Sequence, residues 1–149
     1  TNRPAGPRFG TLVHAVLASI PLDGDLTLIR ELATLHGRII GATAEEIAAA
    51  GEAVSAALAH SLLHHARAAA QQNRCRREAP IVWRDDEGFL TEGVVDLAFE
   101  QNQHWIVVDF KTDEDLGGNE IAYRRQVGLY AAAIEAATGR PVTAMLMRV

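Results

Sequence analysis

Two carboxylates and an amine stand where they could share one task. In the run Trp105-Ile106-Val107-Val108-Asp109-Phe110-Lys111, successive side chains of an extended chain point to opposite faces. Ile106, Val108 and Phe110 therefore share one face, and Asp109 and Lys111 emerge together on the other, at the end of an apolar strand. Alone, the pair reads equally well as an ion pair where a strand runs out into solvent, which is common. The run Gly93-Val94-Val95-Asp96-Leu97-Ala98-Phe99 changes that balance by setting another carboxylate between Val95 and Leu97. If the chain turns back near Gln101–Gln103, Asp96 lies opposite Asp109. Facing carboxylates on paired strands repel unless a cation sits between them. Hard oxygen donors in that arrangement suit Mg²⁺, with Mn²⁺ as a substitute, ions that keep several waters and take phosphate oxygens as further ligands. Beside such an ion, Lys111 would stabilise hydroxide or the charge developing on a phosphorane-like transition state. Gly93 leaves space on its strand for another backbone or a substrate to approach.

The elements that must position these groups follow from periodicity. After a loop with Pro4, Gly6 and Pro7, the apolar residues Leu12, Val13, Val16, Leu17 and Ile20 recur at helical spacing. A second helix is predicted from about Leu26 to His36, stopped by Gly37. A third starts at Thr43, where Glu46 completes a capping box, and one long helix is predicted to about Gln72. After Cys75 the pattern changes to strands: Ala79–Arg84, a turn at Asp85–Gly88, Phe89–Phe99, a polar turn at Gln101–Gln103, and Trp105–Phe110. A polar loop, Thr112 to Asn119, leads to a helix over about Glu120 to Ala137, which Gly139 caps, and Val142–Val149 reads as a last strand. A strand–helix–strand unit of this length is expected to be parallel and right-handed. The predicted class is α/β: a mixed sheet, an antiparallel meander plus a parallel strand, flanked by helices, with a helical N-terminal half. Residues 1–149 are read as a single domain, with residues 1–73 helical and 78–149 carrying the sheet and the late helix.

Composition narrows the partners. The chain has 149 residues, 48% hydrophobic and 22% charged, which excludes a disordered tail. One cysteine, Cys75, excludes a disulfide framework and any cysteine-built zinc or iron–sulfur site. A reducing, cytoplasmic setting is expected. No run approaches the ~20 apolar residues of a membrane span, so no membrane partner is expected. The net charge of −5 argues against a self-sufficient DNA binder, because phosphate neutralisation supplies most of that affinity. It does not exclude a catalytic module to which other domains deliver the strand. The start at Thr1 suggests a piece of a larger parent.

These motifs together resemble a known family. Gly93-Val94-Val95-Asp96-Leu97 followed by Val108-Asp109-Phe110-Lys111-Thr112 is similar to the nuclease domain of RecB and AddA, the C-terminal domain of UvrD-family helicase–nucleases of bacterial double-strand-break repair, within the PD-(D/E)XK superfamily. Phe9-Gly10-Thr11-Leu12-Val13-His14-Ala15-Val16-Leu17 resembles the family's N-terminal helix, whose histidine binds metal. Gln126-Val127-Gly128-Leu129-Tyr130 resembles its Gln-x-x-x-Tyr motif. The resemblance spans about residues 8 to 149, with the motifs in the family's order. It implies a restriction-endonuclease-like sheet and metal-dependent hydrolysis of DNA phosphodiester bonds, leaving 5′-phosphate and 3′-hydroxyl ends. It further implies that His14, Asp96, Asp109 and the Phe110 carbonyl hold the metal and that Lys111 assists the attacking water. Gln126 and Tyr130 would line the cleft, touching DNA or steadying the site. Glu78 resembles a family position opening the first strand. The implied partners are DNA, the helicase domains of the parent and a second subunit. Val95 replaces the proline that names the superfamily, as RecB-like members commonly do, and one cysteine excludes the iron–sulfur cluster of some relatives. No nucleotide-binding loop occurs in these residues.

Other groups weigh less. His60 and His64 are predicted to share a helical face, with His65 beside them, yet no Glu or third ligand completes a zinc site. They read as polar residues on a long helix, and a helical metal-binding regulator is the corresponding rival. Arg74, Arg76, Arg77 and Arg84, and Arg124 and Arg125 on the late helix, read as solvated surface, with Arg77, Arg124 and Arg125 as candidate phosphate contacts. Trp83 and Trp105 read as packing. A catalytically silent DNA-binding or scaffolding module on the same fold is the principal rival, and the intact Asp96, Asp109 and Lys111 argue against it.

Overall fold

The helices begin where the sequence supplies their ends. In the computed structural model, which describes residues 3–112 and 117–149, α1 (Pro7–Ser19) opens with a proline at a position that needs no N–H. Leu12, Val13, Val16 and Leu17 are buried along it, as their spacing predicts, and Phe9 is buried with them. α2 (Leu26–Ile40) starts at Asp25, whose side chain accepts the Leu28 N–H at 2.8 Å. It does not stop at Gly37, as predicted, but continues to Ile40, and Gly41 ends it with a left-handed φ of 69°. Gly37 has a different task. A Cβ there would collide with Ile47 Cγ1, so the bare backbone lets the next helix approach closely.

That helix, α3 (Ala44–Ala59), carries the predicted capping box: Thr43 Oγ1 accepts the Glu46 N–H at 3.2 Å, and Glu46 Oε2 accepts the Thr43 N–H at 2.7 Å. The buried Glu46 carboxylate also receives Arg8 Nε of α1, at 3.1 and 3.0 Å. The Thr43 N–H, then the Arg8 guanidinium, hold this carboxyl below its ordinary range. The single long helix predicted to Gln72 is in fact two. His60 is extended, with ψ 143°, between α3 and α4 (Ser61–Ala70). Its ring Nδ1 accepts the Leu62 N–H at 3.1 Å. A side chain that bonds its own backbone offers an alternative to the helical ladder, and here it overrides the propensity of an alanine-rich run. His60 therefore lies outside the helix and shares no helical face with His64, contrary to expectation.

The chain forms two compact units. One contains α1, α2, α3 and most of α4, with Lys111 and Arg148–Val149; the other, Ala68–Phe110 and Gly118–Met147, contains the sheet and the late helix. In the second, β1 (Cys75–Arg84), β2 (Leu90–Gln101), β3 (His104–Lys111) and β4 (Val142–Arg148) lie in that order. β1 starts earlier than predicted because its antiparallel pairing with β2 continues to Cys75↔Phe99. Between β1 and β2, Asp85 Oδ1 accepts the N–H groups of Glu87 and Phe89 at 3.0 and 2.9 Å. Between β2 and β3, Asn102 and Gln103 both have left-handed φ, 53° and 62°, the geometry of a two-residue hairpin turn whose twist matches its strands. Registration then runs from Gln101↔His104 to Leu97↔Val108.

β4 lies beside β3. The Trp105 N–H donates to the Pro141 carbonyl at 2.9 Å and the Val149 N–H to the Lys111 carbonyl at 3.0 Å. Contacts advancing the same way along both strands make the pair parallel. The crossover between them carries the helix α5 (Glu120–Thr138), ending at Gly139; residues 113–116 of the expected loop Thr112 to Asn119 lie outside the described residues. Tyr130 and Ile134 of α5 pack with Val95, Ala98, Val107 and Trp83 in one apolar cluster. The result is the expected mixed α/β sheet, a three-strand antiparallel meander with one parallel addition.

The Gly37 contact is open to a direct check. Gly37→Ala is expected to destabilise the chain by about 1–3 kcal/mol through overpacking against Ile47, read as a lower urea midpoint. An unchanged midpoint would show that α3 can shift freely.

Candidate active site

The regular ladder between β2 and β3 ends where chemistry begins. Its last registered pair is Leu97↔Val108, and one further step along each strand brings Asp96 beside Asp109. The two carboxyl groups interact directly. The Phe110 N–H donates to Asp96 Oδ2 at 2.8 Å, so a side chain takes a bond that a strand carbonyl would otherwise make. Because the N–H and C=O of one strand residue point to the same side, the Phe110 carbonyl is also turned toward β2.

Both carboxylates are withdrawn from water. Asp109 is 5% exposed, and Asp96 is half-buried. Burial first, then the charge of Asp109, pushes the Asp96 carboxyl from its ordinary 3.8 up to about 7; the Phe110 N–H opposes this, and the Asp109 side-chain bond and the Glu78 charge add to it. Glu78 lies between the registered pairs Arg77↔Leu97 and Ala79↔Val95, hence across β2 from Asp109. Its φ of 47° is rare for a residue with a side chain, and such strain gathers at functional sites. On β2, Val95 and Ala98 belong to one apolar cluster although an odd number of steps apart, so the alternation of faces is interrupted around Asp96. Sequence reasoning missed this irregularity, since no glycine or proline marks it.

A hard divalent cation fits this donor chemistry. Two converging oxygen donors whose charges repel, one pushed toward its neutral form, gain most from a positive ion between them. Among the described residues, no three or more His, Cys, Asp and Glu side chains are gathered closely enough to hold a metal, so Asp96 and Asp109 are the pair that the sheet itself brings together.

Comparison with known proteins decides the family. A model described as the PD-(D/E)XK nuclease superfamily matches residues 1–149. The chain belongs to that superfamily. Similar proteins, each named as a subunit of an ATP-dependent helicase/nuclease, occur in Desulforudis audaxviator, 31% identical over 163 residues, and in Listeria innocua, 26% identical over 173. Each alignment covers 95% of this chain and 13% of the relative. The same-named protein of Clostridium kluyveri is 39% identical over 59 residues, covering 38% of this chain and 5% of its own length.

The remaining candidates of this PD-(D/E)XK chain fall in distinct places. His14 stands on α1, half-buried among Leu12, Val13, Val16 and Leu17. Lys111 ends β3, two residues after Asp109, so regular alternation puts both on one face. On α5, Tyr130 is buried and Gln126 exposed, although one turn separates them. Arg124 and Arg125 are exposed, and Arg124 is tied to Glu120 at 2.7 Å. Arg77 is half-buried, and burial pulls its guanidinium below its ordinary value. Gly93 does not offer the open space predicted for a backbone or substrate; the Tyr130 ring occupies it.

The Asp96 shift has a signed consequence. Its folded value, about 7, lies above the ordinary 3.8, so folding favours the neutral form. That contribution is fully present below the unfolded value and is lost as pH rises through the folded one. Without metal, the stability of the wild type relative to Asp96→Asn is therefore expected to fall between about pH 4 and about pH 8. Urea melts of both chains across that range check this; parallel pH profiles would contradict the buried, coupled carboxyl.

Proposed function

We propose that this chain is a Mg²⁺-dependent deoxyribonuclease, exonucleolytic or endonucleolytic, working as the nuclease module of a helicase–nuclease in DNA repair and recombination. The observation that carries this reading is the half-buried Asp96 carboxyl brought against Asp109 beside the Phe110 backbone, in a chain of the PD-(D/E)XK superfamily. Asp96, Asp109 and the Phe110 carbonyl would hold the ion, with Mn²⁺ able to substitute. When bound, the ion supplies a Lewis acid for the phosphate and lowers the pKa of water. Lys111, on the face of Asp109, would donate to the attacking water or to a non-bridging phosphate oxygen as negative charge builds there. Water oxygen bonds to phosphorus as the bond to the 3′ oxygen breaks, leaving 5′-phosphate and 3′-hydroxyl ends. Gln126 would reach the strand from the exposed side of α5, and Arg124, Arg125 and Arg77 would contact phosphates.

The relatives support the wider setting. Their name couples helicase and nuclease, and this chain spans 13% of the length of those it matches throughout. The proposed partners are thus DNA, a helicase part of the parent and a second subunit, in the cytoplasm. None of the helices among the described residues is long and apolar enough to cross a membrane. The net charge of −5 agrees with a module that receives its strand from a partner.

Digestion of plasmid and oligonucleotide DNA with Mg²⁺ or Mn²⁺, at low salt to favour capture, tests the assignment. Lys111→Ala and Asp109→Ala are each expected to cut the rate by about a hundredfold or more, and chelation should abolish it. Cleavage persisting in both variants would overturn the site.

A further inference from the structure

Gly93 carries no side chain, and α5 fills the gap. A Cβ at this position would lie 2.6 Å from Tyr130 Cε1, 3.0 Å from the Tyr130 hydroxyl oxygen and 3.1 Å from Trp83 Cζ3. The Tyr130 ring stands edge-on to Trp83, with centroids 5.7 Å apart and planes at 71°. At 5% exposure it offers no open face on which a nucleobase could stack. Its buried neighbours are Val95, immediately before Asp96, Ala98, two residues after it, and Val107, two residues before Asp109. Tyr130 thus underlies the stretch of sheet that carries both carboxylates.

That stretch has reason to need a support. Registration between β2 and β3 runs only to Leu97↔Val108, and on the other side the strained Glu78 interrupts the registered pairs of β1 and β2 beside Asp96. Asp96 thus sits where neither ladder registers a pair, and its carboxyl is tied to the Phe110 N–H. We propose that Tyr130 is a positioning residue: its ring, seated on Gly93 and against Trp83, sets the height of β2 over α5 and thereby holds Asp96 at Asp109. The motif Gln-x-x-x-Tyr divides its labour, the exposed Gln126 facing the strand to be cut and the buried Tyr130 facing the sheet. This inference rests on the metal-site reading above.

Equilibrium Mn²⁺ binding by the 149-residue chain, followed by electron paramagnetic resonance of the free ion, tests it. Measurements belong well below the melting temperature of every variant, so that loss of affinity is separated from loss of fold. Gly93→Ala is expected to weaken Mn²⁺ binding about tenfold by displacing the ring, and Tyr130→Leu to weaken it as well. In the Tyr130→Leu background the added methyl no longer meets the Tyr130 ring and is close only to Trp83 Cζ3, so Gly93→Ala should then cost clearly less than it does alone. A melting temperature lowered by Gly93→Ala with Mn²⁺ affinity unchanged would overturn the proposal, and so would strictly additive effects. Should Gly93→Ala fail to fold, Tyr130→Leu carries the test alone, and unaltered binding there refutes the support. Asp109→Ala separates the two readings: binding that survives it sinks the metal site itself, whereas binding lost in Asp109→Ala but untouched by Gly93→Ala sinks only the positioning role.

Discussion

Two carboxyl groups brought together where water is scarce repel each other, and a folded chain keeps them so only if the rest of the architecture resists their separation. Asp96 and Asp109 are in that position: burial first, then the neighbouring charge, pushes the Asp96 carboxyl upward. Several features can be understood as answers to it. The Phe110 N–H gives Asp96 a donor that partly offsets the neighbouring charge. The hairpin fixes which residues of β2 and β3 face one another, and the apolar cluster beneath them leaves neither strand free to slide. Such a pair is unfavourable for stability and favourable for binding, since a cation between the two oxygens turns mutual repulsion into shared attraction.

Much of this arrangement is legible in the sequence because it depends on short-range rules. Alternating faces put Asp109 with Lys111. A tight polar turn between two apolar runs fixes a register that sets Asp96 against Asp109, and the left-handed pair Asn102 and Gln103 realises it. The capping box at Thr43 and Glu46 is equally local. The motifs around His14 and Gln126 point to the family, which the match over residues 1–149 bears out.

What escapes sequence reasoning depends on residues far apart in the chain. Gly37 looks like a helix stop until Ile47 is seen pressing on it. The space left by Gly93 invites a substrate until the Tyr130 ring is found there. His60 sits in a run whose alanines favour one continuous helix, and only the bond from Leu62 N–H to its ring shows why the helix breaks. Glu78 adopts a backbone conformation usually left to glycine or asparagine, and nothing in its neighbours announces that. Local preference chooses the elements, while tertiary contact decides where they end and what their gaps admit.

The turn between β2 and β3 works as a counting device. Equal numbers of residues separate Gln101 from Asp96 and His104 from Asp109, so the hairpin measures out two arms of the same length and matches their tips. In a strand, a slip of one residue sends every side chain to the opposite face. An insertion or deletion of a single residue in either arm would therefore turn one acid away from the other while leaving composition and hydropathy almost untouched. At Asn102 and Gln103 the left-handed backbone narrows the kind of residue, while the two carboxyl groups fix the tally.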